Sequence, residues 1–411
     1  MNAVRFVLSL LACATAASVG ASDRFDTLLK DHRSYWAPDT RTAVVRFRTE
    51  LKNDVVRLTG ETDNVSAKTD LIARLTKAGY RVDDASTLLP DVATLGERQW
   101  GLVRVPVAPL SAKPTFTASQ DSQALMGTPV RLLSRQDGWY RVQLPDGYIG
   151  WMRRAQITPL TAEALAEHNR SRRLMVTALD GALVTSDGQT ACRVPMGGLV
   201  RLVSGTPENP VVALPDGRTG RVETGGIEPL DIFLERTRRA KTAGTVAEDV
   251  VARARNLIGQ PYLWGGTSVA GMDCSGFVQF AYRLSDYWLP RDASQMAYTR
   301  SMSARQTDPL KAAAGELLFF GIKANDASPE RIQHVGLSLG AGRMIHSLDD
   351  VHVASLNPSD PEYDAYEAGR FLFALPMPVG AGDACARSLA DNGFYQSPPR
   401  PLTPCLPYRA P

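Results

Sequence analysis

The chain has 411 residues, more than one ordinary domain needs and enough for roughly two to four. A hydrophobic share of 44% beside 22% charged residues excludes a disordered chain and describes a globular one. The net charge of +3 comes with no dense Lys/Arg block, so nucleic acid is not an expected partner. Arg170-Ser171-Arg172-Arg173 reads as a solvated linker face.

Residues 1–21 read as a secretory leader. Arg5 supplies positive charge, Phe6 to Ala12 form a short apolar run, and Val19-Gly20-Ala21 fits a cleavage pattern. Leu10-Leu11-Ala12-Cys13 looks like a lipoprotein acylation site, but its early position after a minimal apolar run weighs against anchoring at Cys13. No other stretch has the apolar length of a bilayer span, so the mature chain is expected to be secreted or periplasmic. Export permits disulfides. Four cysteines follow the leader. Cys385 and Cys405 share a Pro-rich tail and could pair, which spacing alone does not decide; Cys192 reads as a small buried residue and Cys274 as a free thiol.

Residues 22–105 read as a small α+β segment without a chemical motif. Val55 to Leu58 looks like a strand, Ala67 to Ala78 like an amphipathic helix, and Tyr80-Arg81-Val82 resumes an extended pattern. His32 and the polar run Thr59 to Asn64 are expected at the surface.

An internal repeat follows at an offset of 70 residues. Met126 to Ser134 matches Met196 to Ser204, Leu144 to Gly150 matches Leu214 to Gly220, and Ile157 to Leu160 matches Ile227 to Leu230. Short alternating runs joined by Asp-Gly turns predict two copies of a small all-β barrel. Both copies resemble bacterial SH3-like domains, over 106–160 and, with a helical connector from Thr161 to Arg173, over 161–235. The first copy holds Trp139, Tyr140, Tyr148 and Trp151 where the second has Asn209, Pro210, Arg218 and Arg221. The first therefore has a plausible ligand face, although Trp139 and Trp151 read equally well as barrel core. Tyr148 follows a turn and is expected to reach outward.

Arg236 to Gly244 reads as a linker into a last domain over 236–378, ahead of the tail at 379–411. Thr245 and Glu248 have capping-box spacing for a helix from Val246 to Ile258. Cys274 then opens an amphipathic run, Phe277 to Tyr282. A thiol at a helix start faces unpaired N–H groups and the positive end of the dipole, which lower its pKa. Gly315 to Gly321 is a buried strand, and His334 to Gly340 with Gly342 to His346 alternate like a hairpin. A turn centred near Gly340 would set His334 directly opposite His346, with Cβ atoms about 5 Å apart.

These parts suit thiol acyl transfer: Cys274 as nucleophile, His334 as base, His346 as the residue orienting it, and the Cys274 N–H as oxyanion donor. Taken singly, each side chain is as well explained by packing. A zinc site on Cys274, His334 and His346 is the rival, without a Cys-x-x-Cys pair to support it. No metal or other cofactor is expected, and His168 and His352 are given no role.

In this order, Tyr262-Leu263-Trp264-Gly265-Gly266, Asp273-Cys274-Ser275-Gly276, Leu289-Pro290-Arg291-Asp292, Gly315 to Phe320, His334-Val335-Gly336 and Ile345-His346 resemble the NlpC/P60 family of papain-like cell-wall peptidases. The match covers about 130 residues. The resemblance implies a multidomain chain: two SH3-like barrels, then an α+β papain-like domain. With the barrels, it looks like the γ-D-glutamyl-L-diamino acid endopeptidases. The implied substrate is the peptidoglycan peptide L-Ala-γ-D-Glu-meso-diaminopimelate with a free N-terminal L-Ala, bound by a monomer. Asp273, Ser275 and Asp292 would contact its first two residues, Tyr262 would line the site and assist the oxyanion, and Tyr148 would help close it. The barrel loop Thr115 to Leu125, where an acidic residue is expected to meet the ammonium, offers Asp121 and has Ser119 in place of Glu. Ala293 stands where a hydroxyl is common. Two other readings remain: a wall-binding module with a silent peptidase domain, and an amidase or acyltransferase on the same fold.

Overall fold

The computed structural model describes residues 25–223, 226–300, 302–376, 384–403 and 405. The leader expected over 1–21, with Cys13, lies outside them. The chain divides into two compact units, residues 1–94 and 95–411.

In the first unit, β1 (Val45–Lys52) pairs antiparallel with β2 (Val55–Thr62), and β3 (Arg81–Asp84) and β4 (Thr87–Leu88) run parallel to β2. Between them runs the helix Val65–Lys77. Asn64 caps it through the Ser66 and Ala67 N–H groups, and Ala67, Leu71 and Leu75, four residues apart, form its buried stripe. His32 is not at the surface. Its Nε2 meets the Ala67 carbonyl at 2.9 Å inside the core, and Thr62 of the polar run is buried as well.

The repeat becomes two seven-stranded sheets. The first holds β5 (Trp100–Val103), β6 (Val107–Ser111), β7 (Gln120–Leu125), β8 (Pro129–Gln136), β9 (Trp139–Gln143), β10 (Ile149–Arg153) and β11 (Ile157–Leu160). The second holds β12 (Arg173–Val176), β13 (Ala182–Ser186), β14 (Gln189–Val194), β15 (Leu199–Thr206), β16 (Asn209–Ala213), β17 (Thr219–Val222) and β18 (Ile227–Pro229). Their orders, β11-β5-β8-β9-β10-β6-β7 and β14-β13-β17-β16-β15-β12-β18, are one path read in opposite directions. Local detail repeats too. Gly147 and Gly217 take positive φ at matching turns, and Asp146 and Asp216 accept the next-but-one N–H, of Tyr148 and Arg218. Trp100–Val103 belongs to this first sheet, so the barrel begins before the position read from sequence. Cys192, expected buried, is half-buried.

Two connectors differ from expectation. Residues read as a linker from Arg236 lie in a helix, Leu230–Ala243, which ends where Gly244 takes a left-handed conformation. In the next helix, Val246–Arg255, Thr245 makes no side-chain cap; its hydroxyl turns back to the Ala240 carbonyl.

The last domain pairs a short ribbon, β19 (Thr267–Ser268) and β20 (Gly271–Met272), with an antiparallel sheet of order β24-β23-β22-β21-β25. Its strands are β21 (Leu317–Ile322), β22 (Arg331–Gly340), β23 (Arg343–Leu348), β24 (Asp350–Ser355) and β25 (Phe371–Leu375). β21 is apolar on both faces because both are covered. Leu317 and Phe319 join the core with the helix Cys274–Arg283, while Leu318 and Phe320 join a second core with Met344 and Phe371.

The described residues of the tail are part of the fold. Cys385 and Cys405 form a disulfide. Phe394 meets Trp100 edge-on, Asn392 donates to the Pro145 carbonyl, and the Asn169 amide donates to the carbonyls of Phe394 and Gln396. Trp100, Leu199, Phe233, Trp288 and Phe394 share one buried cluster, joining both barrels, the last domain and the tail.

Candidate active site

The site is built where the helix Cys274–Arg283 begins. Asp273 is its N-cap and accepts the Gly276 N–H at 2.7 Å. Its carboxylate is fully engaged. Oδ1 also accepts from Ser275 Oγ (3.3 Å) and Arg291 Nη1 (3.0 Å), while Oδ2 accepts from the Gly265 N–H (2.9 Å) and Arg291 Nη2 (2.6 Å). Ser275 is buried and also accepts from Arg291 Nη1 at 2.9 Å. The expectation that Asp273 and Ser275 face substrate therefore meets a different arrangement. Their side chains, with Arg291, hold the loop and the helix start together. Arg291, 1% exposed, was visible in the Leu289–Asp292 run but had no assigned task.

Cys274 keeps part of its surface exposed. It packs against the core cluster that holds Val335, the neighbour of His334, which sets the thiol beside the strand that carries His334. Burial, and then the Asp273 charge, push the thiol up to about 12 against the opposing influence of the backbone N–H groups of Val335 and Ser275 and of the Arg291 charge. The helix start does not win against desolvation, contrary to the dipole argument. Tyr262, half-buried, senses the Cys274 and Asp273 charges, and burial pushes its hydroxyl up to about 12.

The histidines lie on β22 and β23, but not opposite one another. The hairpin turn uses Gly340, Ala341 and Gly342, all at positive φ, and the register is Leu337↔Ile345. The partner of His346 is thus Gly336, where an added Cβ would lie 3.3 Å from the His346 Cβ. His334 is the diagonal neighbour, and His334 Nε2 meets His346 Nδ1 at 2.9 Å. The chain of rings continues. His352, given no role from sequence, pairs directly with His346 across β24; the two Nε2 atoms are 3.0 Å apart, and His352 Nδ1 lies 2.9 Å from Asp350 Oδ1. The signal was His352 at even spacing from His346, one strand further on.

Burial drives His334 down to about 3 and His346 down to about 4, with neighbouring histidines adding to both. These directions favour neutral rings beside a protonated thiol. Glu367, wholly buried, accepts from Arg370 through Oε1, while its Oε2 has no hydrogen-bond partner; burial raises its carboxyl to about 7. Among the described residues, His334, His346 and Glu367 bring ligand-type atoms within 4.8 Å of one another. Both nitrogens of His346 already sit in hydrogen bonds, so the set reads as a proton-bonding cluster.

The first barrel forms one wall. Gln123 Oε1 accepts from the Thr267 N–H and Ser268 Oγ, Gln120 donates to the Trp264 carbonyl, and Arg291 Nε donates to Ser122 Oγ. Tyr148 does not reach outward; it is buried and its hydroxyl donates to Asp292 Oδ2 at 3.2 Å. Asp121 accepts from Ser119 Oγ at 3.2 Å. Its carboxyl is pushed up by burial and, more weakly, by the Asp292 charge.

Residues 259–369 match the model of the NlpC/P60 family, and residues 110–157 match the model described as the bacterial dipeptidyl-peptidase Sh3 domain. The γ-D-glutamyl-L-lysine dipeptidyl-peptidase of Bacillus subtilis is 29% identical over 240 residues, 55% of this chain and 71% of that protein. The protein of the same name from Bacillus cereus is 27% identical over 237 residues, 55% of this chain and 67% of that one. A crystal structure of an NlpC/P60 family protein from Bacillus cereus superposes with a TM-score of 0.53 at 21% identity, covering 67% of this chain and 99% of that one.

Proposed function

The chain carries an NlpC/P60 cysteine peptidase domain behind a bacterial SH3 domain, and we propose that it is an exported monomer that cuts peptidoglycan stem peptides between γ-D-Glu and the following diamino acid, meso-diaminopimelate. The observation that carries this reading is the thiol of Cys274 at a helix start, packed beside the strand bearing the His334–His346 pair.

His334 uses Nε2 toward His346, which leaves Nδ1 to act on the thiol. Nδ1 takes the Cys274 proton as sulfur bonds to the γ-carbonyl carbon. The oxyanion meets the Cys274 N–H, which has no helical acceptor at this first position. The C–N bond then breaks, and the imidazolium returns its proton to the leaving amine. A water, deprotonated by His334, attacks the thioester and releases the thiol. Tyr262 stands near the sulfur with its proton retained, suited to donate to the oxyanion.

The carboxylates of Asp121 and Asp292, whose charges act on one another, support recognition of a free N-terminal ammonium on L-Ala. The relatives are named for L-lysine, so the third residue is the finer part of the proposal. The test is product analysis with L-Ala-γ-D-Glu-meso-diaminopimelate, its L-lysine counterpart and intact sacculi. Release of the free diamino acid that Cys274→Ala abolishes supports the reading. Release at the wild-type rate by that variant overturns it, as does an amidase or transfer product.

A further inference from the structure

We propose that His352, held by Asp350, is a positioning residue that sets the tautomer of the His346–His334 pair and so keeps the base nitrogen of His334 free of a proton. The inference rests on the reading of His334 as base.

The direction of every bond follows from one end of the chain. His352 Nδ1 faces two acceptors, Asp350 Oδ1 at 2.9 Å and the Asp350 carbonyl at 3.2 Å. A nitrogen between two acceptors carries the proton. His352 Nε2 is then bare in the neutral ring, and the 3.0 Å contact requires His346 Nε2 to donate. His346 Nδ1 is bare in turn, so His334 Nε2 donates across 2.9 Å. The remaining nitrogen, His334 Nδ1, holds the lone pair that a base needs.

Without an acceptor at His352, His346 can place its proton on Nδ1. It then donates to His334 Nε2, and the His334 proton moves to Nδ1, the wrong side for accepting from a thiol. The other charged groups near the pair are Asp364, Arg370 and Glu367, whose carboxyl lies within 4.8 Å of both rings with Oε2 unpartnered. Asp364 acts on His346 through space, Glu367 Oε1 is engaged by Arg370, and Arg370 acts on His334 as a distant charge. The His352 side chain is 39% exposed, so water replaces it in part and the effect is bounded.

The experiment compares His352→Phe, which removes the acceptor, with His352→Gln, whose carbonyl oxygen restores it. β24 is an edge strand with this ring half-exposed, which favours folding of both. Expected for H352F is a fall in kcat of about tenfold with KM unchanged, and recovery of most of it in H352Q. Nitrogen-15 NMR of the five histidines reads the tautomer directly in resting protein. Wild type and H352Q should show His334 protonated on Nε2, and H352F a mixture. Asp350→Ala, which leaves the ring in place, should move the same resonances less far. The proposal is overturned if H352F keeps both kcat and the Nε2–H form of His334. Retained turnover in His334→Ala would instead remove the reading of His334 as base, and the spectra would still answer the tautomer question.

Discussion

Arg291 and Asp273 form a two-point ion pair beneath the start of the helix that carries Cys274, with Nη2–Oδ2 at 2.6 Å and Nη1–Oδ1 at 3.0 Å. Removing one partner leaves a buried charge without its counter-ion. Arg291→Ala should cost about 3–5 kcal/mol in urea denaturation. Asp273→Asn should cost less, since the amide oxygen still caps the Gly276 N–H. Equal stability of R291A and wild type would show that the pair is not structural.

The neutral thiol predicts a particular pH profile. With Cys274 pushed up to about 12 and His334 down to about 3, the expected resting state is a thiol beside a neutral imidazole. In a Cys192→Ser background, which leaves Cys274 as the one free thiol among the described residues, iodoacetamide alkylation should rise steadily above about pH 8. A fast plateau between about pH 5 and 8 would mean that a resting ion pair forms.

Asp121 and Asp292 should act on binding and not on the chemical step. Asp121→Asn is expected to raise KM about tenfold for the tripeptide with a free N-terminus and to leave its N-acetylated form unaffected. An equal change for both substrates would detach Asp121 from the ammonium.

Glu367 gives a stability prediction with a definite sign. Its carboxyl is raised to about 7 in the fold, so the native state binds the proton more tightly than the unfolded chain. Stability from this group is therefore present below the ordinary carboxyl range and is lost as pH rises through about 7. The Arg370 ion pair and nearby solvent screen the effect. Glu367→Gln should stabilise the protein by about 1 kcal/mol at pH 8 and by nothing measurable at pH 4, read by urea denaturation.

The tail should matter to stability. The Cys385–Cys405 disulfide closes a loop with a sequence separation of 20, and Phe394 within it fills the shared cluster. Cys385→Ala with Cys405→Ala should cost about 2–4 kcal/mol, measured as a fall in Cm. An unchanged midpoint would mean that the packing of Phe394 and Tyr395 alone holds the segment.

Local pattern by itself determined a good deal about this protein. The 70-residue repeat is written in Asp-Gly turns and alternating strands, and the two sheets share one strand path because such turns set pairing between neighbours in sequence. The thiol and the two histidines were legible for the same reason: each stands at a helix start or on a hairpin with a definite period. Long-range burial decided the rest. Whether the thiol is ionised depends on desolvation, which no spacing encodes, and burial overrode the helix dipole at Cys274. The hairpin register moved His334 to a diagonal position because the turn centres beyond Gly340. Asp273 became a partner of Arg291, and His352 joined the histidine row, only when strands and loops distant in the chain were packed together. Hydrogen-bond partners across such separations are chosen by the tertiary fold, because side-chain chemistry alone permits many others.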